Sequence, residues 1–389
     1  MRNHAAVAGV GLTATTSPGR QTASKTELCQ EAVDRALAHS GLRRAEIDAV
    51  VVGNIDGFEA TSTAGRTIVP ALGLAPGTSV YIVNTGGTTG GGVFNLAASL
   101  VRGGEAERVL CVGPSTFDGP VDLQAVINTA LPVAMEQPLG IDGVHVGGMF
   151  AAAYQSRYGV ADEVLELCAA QQREHAAKNP YAHIRKPLPP ETAATPITTP
   201  LTLGMVCPVS SGATAVVVTT ETIARRLDRN PVVRIAAYGS VADTHLGTGR
   251  HDFSSCEVLA LLADRIYKDA GIMDPRRELD VLEIFSPYAP MQLILLEDLG
   301  MCGRGEAPHL VRDGSLHVDG DLPTNLSGGP HSTNPGVAAQ LAPVAYIALQ
   351  LMGQAAGGVQ VAEARRGLAH STGSAWWQFH TLAILEKTE

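Results

Sequence analysis

Charged and aromatic side chains are both scarce in this chain: 17% of its 389 residues are charged and 4% aromatic, with two Trp. No stretch is dense in Lys or Arg, and the formal charge is −10. That excludes nucleic acid as the main partner, because neutralising phosphates needs a local concentration of positive side chains. No apolar run reaches the roughly 18 residues a membrane span requires. The start, Met1-Arg-Asn-His-Ala5, has no basic region leading into a signal-length apolar core, so the expected location is cytoplasmic. The six cysteines (Cys29, Cys111, Cys168, Cys207, Cys256, Cys302) form no CxxC pair and no metal-ligand spacing. They read as small buried hydrophobes in a reducing compartment, with no metal site. What is abundant is small and apolar: 45% of residues are hydrophobic and 42 are Gly. Such a chain packs helices closely and buries part of its surface in an oligomer.

The most informative segment runs from Tyr81 to Phe94. Val80 to Val83 reads as a buried strand and Val93 to Val101 as an Ala- and Leu-rich helix, with a Gly/Thr turn between them. A strand turning sharply into a helix presents free backbone N–H groups and the positive end of the helix dipole, a site suited to an oxyanion or a thiolate. Gly87 and Thr88 occupy its apex. No Cys or Ser stands there, so function must be argued from the missing nucleophile.

The order of elements suggests two similar halves. Strands are expected at Val7–Gly11, Asp48–Gly53, Arg108–Gly113 and Gly212–Thr220, with a helix over Lys25–Ser40. A long insertion follows the Arg108–Gly113 strand, with helices near Gly148–Tyr158 and Asp162–Lys178. The Pro-rich segment from Asn179 to Pro208 is too long for a connector and reads as a cover over a site. The second half restarts at Val232–Gly239 with a helix over Cys256–Ala270, a strand over Asp280–Phe285 and a helix over Met291–Leu299. Asn325-Leu-Ser-Gly-Gly329 then turns into a second Ala/Leu helix, Val337–Met352, before strands at Arg366–His370 and Trp376–Leu385. The boundaries are 1–116 with 209–228 for the first half, 117–208 for the insertion, and 229–389 for the second half. One Gly-rich turn and one apolar helix per half let two helix N-termini converge on one pocket.

These residues resemble the thiolase superfamily, in particular its sterol-carrier-protein-x and lipid-transfer-protein branch, over nearly the whole chain. Val83-Asn84 with Gly87-Thr-Thr-Gly90 is similar to that family's Val-Asn-x-x-Cys-Ala-x-Gly turn, and Leu100-Val-Arg-Gly-Gly-Glu-Ala-Glu107 to the segment after it. Ala176-Ala-Lys-Asn-Pro-Tyr-Ala182 resembles the His-Ala-x-x-Asn-Pro-x-Ala loop. Cys207-Pro-Val-Ser-Ser-Gly-Ala213 resembles Cys-Pro-x-Ser-Asp-Gly-Ala, with Ser211 for the usual Asp. The resemblance implies an α/β thiolase-like fold: two similar βαβαβ halves, buried central helices in a five-layered arrangement, and an inserted covering-loop region. Each position that carries thiolase chemistry is nevertheless changed. The nucleophilic Cys corresponds to Gly87, and the His of Gly-His-Pro to Asn334 if one residue is deleted. The Asn-Glu-x-Phe loop reads Phe285-Ser-Pro-Tyr288, and the C-terminal motif reads Ala369-His-Ser-Thr-Gly373 followed by Trp376-Trp377.

Without a Cys at Gly87, an acyl-enzyme at that position is excluded. The resemblance implies a site for a coenzyme A or pantetheine thioester, whose oxygen would face the Gly87–Thr88 and Gly328–Gly329 turns. Such a hole stabilises an enolate as readily as a tetrahedral oxyanion. A nucleophile-free side branch of these proteins includes steroid side-chain aldolases, so aldolase-type carbon–carbon cleavage or formation on an acyl thioester is expected, with no further cofactor. Tyr288, His331, Asn334 and His145 are the candidates for proton transfer or oxyanion donation; for each, packing, a surface turn or helix capping is the plain alternative. Thr88 and Thr89 read first as turn and capping residues. A catalytically silent binding or scaffold subunit, and direct acyl transfer or Claisen condensation without an acyl-enzyme, remain open readings. The resemblance further implies a homodimer and a small zinc-ribbon and OB-fold partner subunit.

Overall fold

The computed structural model describes residues 4–59, 65–117, 122–246, 249–373 and 376–388. The first half contributes strands β1 (Ala5–Leu12), β2 (Ala49–Gly53), β3 (Ser79–Val83) and β4 (Arg108–Ser115). Helices α1 (Lys25–Ser40) and α2 (Thr89–Gly103) lie among them. Then come α3 (Gly143–Tyr158), α4 (Asp162–Lys178), a small hairpin of β5 (Pro196–Thr198) and β6 (Leu201–Thr202), and β7 (Gly212–Thr220). The second half runs β8 (Val233–Ala242), α5 (Glu257–Ala270), β9 (Val281–Ile284), α6 (Met291–Asp298), α7 (Gly336–Met352), β10 (Arg366–Gly373) and β11 (Phe379–Lys387).

Local chemistry sets these boundaries. Helix α1 starts at a reciprocal capping box, with the Ser24 hydroxyl accepting from the Glu27 N–H and the Glu27 carboxylate from the Ser24 N–H. It stops at Gly41 in the left-handed conformation, φ +78°. Helix α3 begins at Gly143, five residues before the expected Gly148, because the Asp142 carboxylate accepts from the His145 N–H and caps it. Strand β11 begins at Phe379 rather than Trp376, since Trp377 is in a positive-φ turn (φ +53°).

The sheet order exposes the duplication. In the first half β1 pairs antiparallel with β7, β7 antiparallel with β4, and β4 runs parallel to β2. In the second, β8 pairs antiparallel with β11, β11 antiparallel with β10, and β10 runs parallel to β9. Strand β3 extends the first half as an outer strand parallel to β2. The halves meet where β1 pairs with β8, giving one nine-stranded order, β3-β2-β4-β7-β1-β8-β11-β10-β9.

Alternation along β2 decides what covers each face. Val50 and Val52 pack with α1 residues such as Leu28 and Val33, whereas Ala49 and Val51 pack with α2 and α7 residues such as Val93 and Leu341. Helices α2 and α7 therefore lie between the two halves, with α1 and α5 outside. The contact of α2 with α7 depends on a missing side chain, since a β-carbon on Gly90 would come 2.4 Å from the Leu341 nitrogen; one on Gly91 would come 1.9 Å from the Thr381 hydroxyl of β11. The residues between Asn179 and Pro208 are not purely extended; they include a short helix, Pro190–Ala193, and the β5–β6 hairpin. A hydrogen bond from the Trp376 indole to the buried Glu136 carboxylate, 2.5 Å, ties the region before α3 to the end of the second half.

Candidate active site

The turn between β3 and α2 consumes its own hydroxyls. Thr88 Oγ1 donates to the Thr85 carbonyl at 3.1 Å, and Thr89 Oγ1 donates to the Gly86 carbonyl at 2.6 Å while accepting from the Thr85 N–H at 3.0 Å. Thr88 is thus committed to turn formation, and its side chain is not offered to a ligand. Gly87, at the apex, is half-buried and lies backbone to backbone with Gly373 at the end of β10: a β-carbon on Gly373 would fall 2.1 Å from the Gly87 Cα. A turn of the first half and a strand end of the second meet there, whereas the first turns of the two apolar helices meet where Gly90 packs on Val337 and Leu341.

Gly328 and Gly329 serve a different purpose. Both have positive φ, +89° and +56°, and a β-carbon on Gly328 would strike Ala176 of α4 at 2.4 Å. They let the turn after Asn325 pack on α4, and the expectation that they face a substrate gives way to this packing role.

Three segments bring functional groups together. Asn334 donates from Nδ2 to Cys207 Sγ at 3.2 Å, and its buried Oδ1 has no hydrogen-bond partner. Ser210 fixes this contact: its hydroxyl accepts from the Asn334 N–H at 3.2 Å, its N–H donates to the Asn334 carbonyl at 3.2 Å, and His183 Nδ1 lies 2.8 Å from the same hydroxyl. The N-cap of α7 is Pro335, so the capping alternative for Asn334 does not apply. The Cys207 N–H donates to the Pro287 carbonyl at 2.9 Å, which places Tyr288 alongside, bridged to Val206. The Tyr288 ring stacks on Trp377 (centroids 5.7 Å apart, 27° between planes), and Phe150 abuts the same indole at 4.3 Å. Helix α3 closes over Tyr288 because Gly143 and Gly147 lack side chains: β-carbons there would lie 3.1 Å from the phenol oxygen and 2.5 Å from the ring.

Burial fixes the protonation of this cluster. It holds the Tyr288 hydroxyl well above its ordinary value, with Cys207 and Asp142 adding to the effect. It also pushes the Cys207 thiol up to about 11, opposed by the Asn334 hydrogen bond and by Arg173. At neutral pH the cluster consists of a phenol, a thiol and a carboxamide. All three are neutral donors, and none is an activated nucleophile.

The other expected residues stand apart. His331 is fully buried, both ring nitrogens lack hydrogen-bond partners, and burial lowers it to about 3 with Arg173 adding to the shift. It faces Arg173 and the Gly204 backbone, and no hydrogen bond joins it to Tyr288 or Asn334. A base held that low is neutral but weak, so its expected catalytic part gives way to a packing position. His145 is exposed, with 60% of its side chain accessible, and pairs through Nδ1 with Asp142 at 2.6 Å. It stands two residues from Gly143, at the rim of the Tyr288 environment.

Cys207 was legible as part of a motif but read as packing; its contacts emerge only where residues 207, 288 and 334 meet. Ser286, fully buried with an unpartnered hydroxyl in the loop before Tyr288, carried no signal beyond its position. Among the described residues no group of three or more His, Cys, Asp or Glu could hold a metal ion, and no helix is long and apolar enough to cross a membrane.

Comparison with known proteins places this geometry in context. The family described as thiolase C-terminal domain-like matches residues 239–387. A steroid side-chain-cleaving aldolase of Thermomonospora curvata is 30% identical over 347 residues, covering 84% of this chain and 85% of that protein. Bovine sterol carrier protein 2 is 29% identical over 391 residues, covering 96% of this chain and 70% of that one. Among solved structures, the Ltp2-ChsH2(DUF35) aldolase superposes with a TM-score of 0.83 at 25% identity, covering 99% of this chain and 98% of that chain.

Proposed function

This chain belongs to the thiolase superfamily, in its sterol-carrier-protein-2-like branch, and we propose that it is an aldolase-type carbon–carbon lyase acting on an acyl thioester through an enolate. The observation that carries the reading is the cluster of Tyr288, Cys207 and Asn334, three neutral donors, in a chain that has Gly87 where a thiolase has its nucleophilic Cys. Two relatives of this fold bear aldolase names.

In the cleavage direction a base takes the proton of the 3-hydroxyl, and the carbon–carbon bond to the α-carbon breaks. Its electron pair passes to the thioester as an enolate, which is then protonated at carbon. In this reading backbone N–H groups of the Gly87 and Gly373 segments and the Asn334 carboxamide are the donors for the enolate oxygen. Tyr288, held as a phenol by burial, is suited to deliver the proton to carbon. The hydroxyl base comes from the rim, where Asp142 orients His145, or from a partner subunit docked over it. One structural relative is named for two components, Ltp2 and ChsH2(DUF35), which supports testing such a partner. The acyl carrier is a coenzyme A or pantetheine arm.

A homodimer formed through β3 completes the reading. This outer strand exposes Val80 (48%) and Ile82 (45%), an unpaired edge that solution proteins rarely leave uncovered.

The test is α-carbon exchange. Acetyl and propionyl thioesters are incubated in heavy water with the chain, alone and with a neighbouring small subunit, and with Tyr288→Phe. Deuterium uptake that falls in the variant supports an enolising site; absence of uptake under both conditions sinks it.

A further inference from the structure

A second groove, bordered by Gly204 and Met205, carries a cation without a counter-charge. Arg173 of α4 is 8% exposed, forms no ion pair among the described residues, and leaves Nη1 buried without a hydrogen-bond partner there. It acts electrostatically on Cys207, His183 and His331, and among the described residues no carboxylate is paired with it. A buried guanidinium left unpaired is unfavourable, and the α4 carboxylates nearest it in the groove, Glu166 and Glu174, are exposed and do not pair with it.

Arg173 lines a groove of about 620 Å³ between α4 and the segment 187–205. That volume suits a small molecule. Apart from Arg173 its walls are largely apolar, formed by Ala169, Pro187, Leu188, Ala193 and Met205. Two carboxylates, Glu166 and Glu174, also border the groove, and both are exposed. An occupant must therefore satisfy two conditions at once: an apolar body along the wall and a single negative group at Arg173. The exposed glutamates repel a polyanion such as a nucleotide diphosphate, whereas one carboxylate can form a paired, charge-assisted contact with the guanidinium.

We propose that this groove binds an amphipathic monocarboxylate, an aliphatic or alicyclic acid whose carboxylate pairs with Arg173 and whose body lies against Pro187, Leu188 and Met205. The site stands independently of the enolate chemistry proposed above.

Decanoate is the probe, titrated calorimetrically into the full-length chain beside decan-1-ol, inorganic phosphate and coenzyme A. Decanoate binds with one site per chain, and decan-1-ol, which lacks the charge, binds at least ten-fold more weakly. Arg173→Gln, checked for folding by circular dichroism, reduces decanoate to the level of the alcohol. Ala177→Trp, at an exposed position bordering the groove, blocks decanoate while leaving the α4 fold intact. Equal binding of acid and alcohol, phosphate binding as tightly as decanoate, displacement of decanoate by coenzyme A, or unchanged binding in Ala177→Trp would each overturn the assignment. Because the readout is binding, its failure leaves the exchange test of the active site untouched.

Discussion

Gly373 and Gly87 touch through their backbones, so neither half can place a side chain between the two turns without pushing the other away. A β-carbon on Gly373 would sit 2.1 Å from the Gly87 Cα and 2.4 Å from its carbonyl oxygen. Gly373→Ala is expected to cost about 1–3 kcal/mol of stability through overpacking, and to abolish α-proton exchange because the turns separate. Thermal unfolding and the exchange assay on one preparation check both; a variant with normal stability and normal exchange would show that the contact is dispensable.

Tyr288→Phe removes one oxygen and keeps the ring stacked on Trp377. Stability should change by less than about 1 kcal/mol, since it is the ring that packs against Trp377, while exchange falls about 10²–10⁴-fold, the usual scale of a lost proton donor. A comparable loss in stability would instead mark the residue as packing.

Cys207 is held as a thiol, so it should not be acylated. Intact mass after incubation with acyl thioesters is expected to show no adduct, and Cys207→Ser should retain exchange to within several-fold. Asn334→Ala, which removes the donor to Cys207 Sγ, should lower exchange on the order of 10²-fold, as loss of an oxyanion donor does. An acyl adduct on the wild-type chain would replace the enolate reading with a covalent one.

Glu283 gives a pH signature. Buried on β9, it accepts from the Ser327 N–H at 2.9 Å and from the Ser327 hydroxyl at 2.6 Å. Burial outweighs these bonds and raises its carboxyl from 4.5 to about 7. The folded state thus holds the proton more tightly than the unfolded chain. The favourable contribution is complete below about 4.5, and is lost as pH rises to about 7. Glu283→Gln cannot titrate, so its stability relative to wild type should climb across that window by up to about 3 kcal/mol and stay level above it. Unfolding midpoints from pH 4 to 8 measure this, and a pH-independent difference would contradict the assignment.

If β3 joins two copies, Ile82→Lys should shift the chain from dimer to monomer in light scattering without lowering its unfolding temperature substantially, because Ile82 is exposed within one chain. A wild-type monomer would remove the dimer from the reading.

Local signals made most elements readable in advance. Lys25–Ser40 and Asp162–Lys178 have the expected limits, the first because Ser24, Glu27 and Gly41 announce both ends. The start of α3 was misread because Gly143, Gly147 and Gly148 look like turn residues; their smallness serves the Tyr288 ring and Thr198, neighbours that no local pattern names. Gly87, Asn334 and Tyr288 could be picked from motifs, since each sits at a recognisable turn. The fates of His331 and Arg173 could not, because isolation and burial are properties of segments that meet only in three dimensions. His145 kept its place near the site but turned outward, as its pairing with Asp142 requires.

Strand β1 has a history that its position in the sheet conceals. Its residues pair from Ala5 with Thr220 to Leu12 with Thr214, and also with Arg234 and Val233. At ribosomal rates of about 5–20 residues per second, the partner segment is made on the order of ten to forty seconds after β1 itself. Throughout that interval Ala-Ala-Val-Ala-Gly-Val-Gly-Leu, buried along its whole length in the finished protein, has no hydrogen-bonding neighbour in its sheet. The innermost strand of the sheet therefore waits for much later sequence, and its apolar residues need cover from elsewhere during that interval.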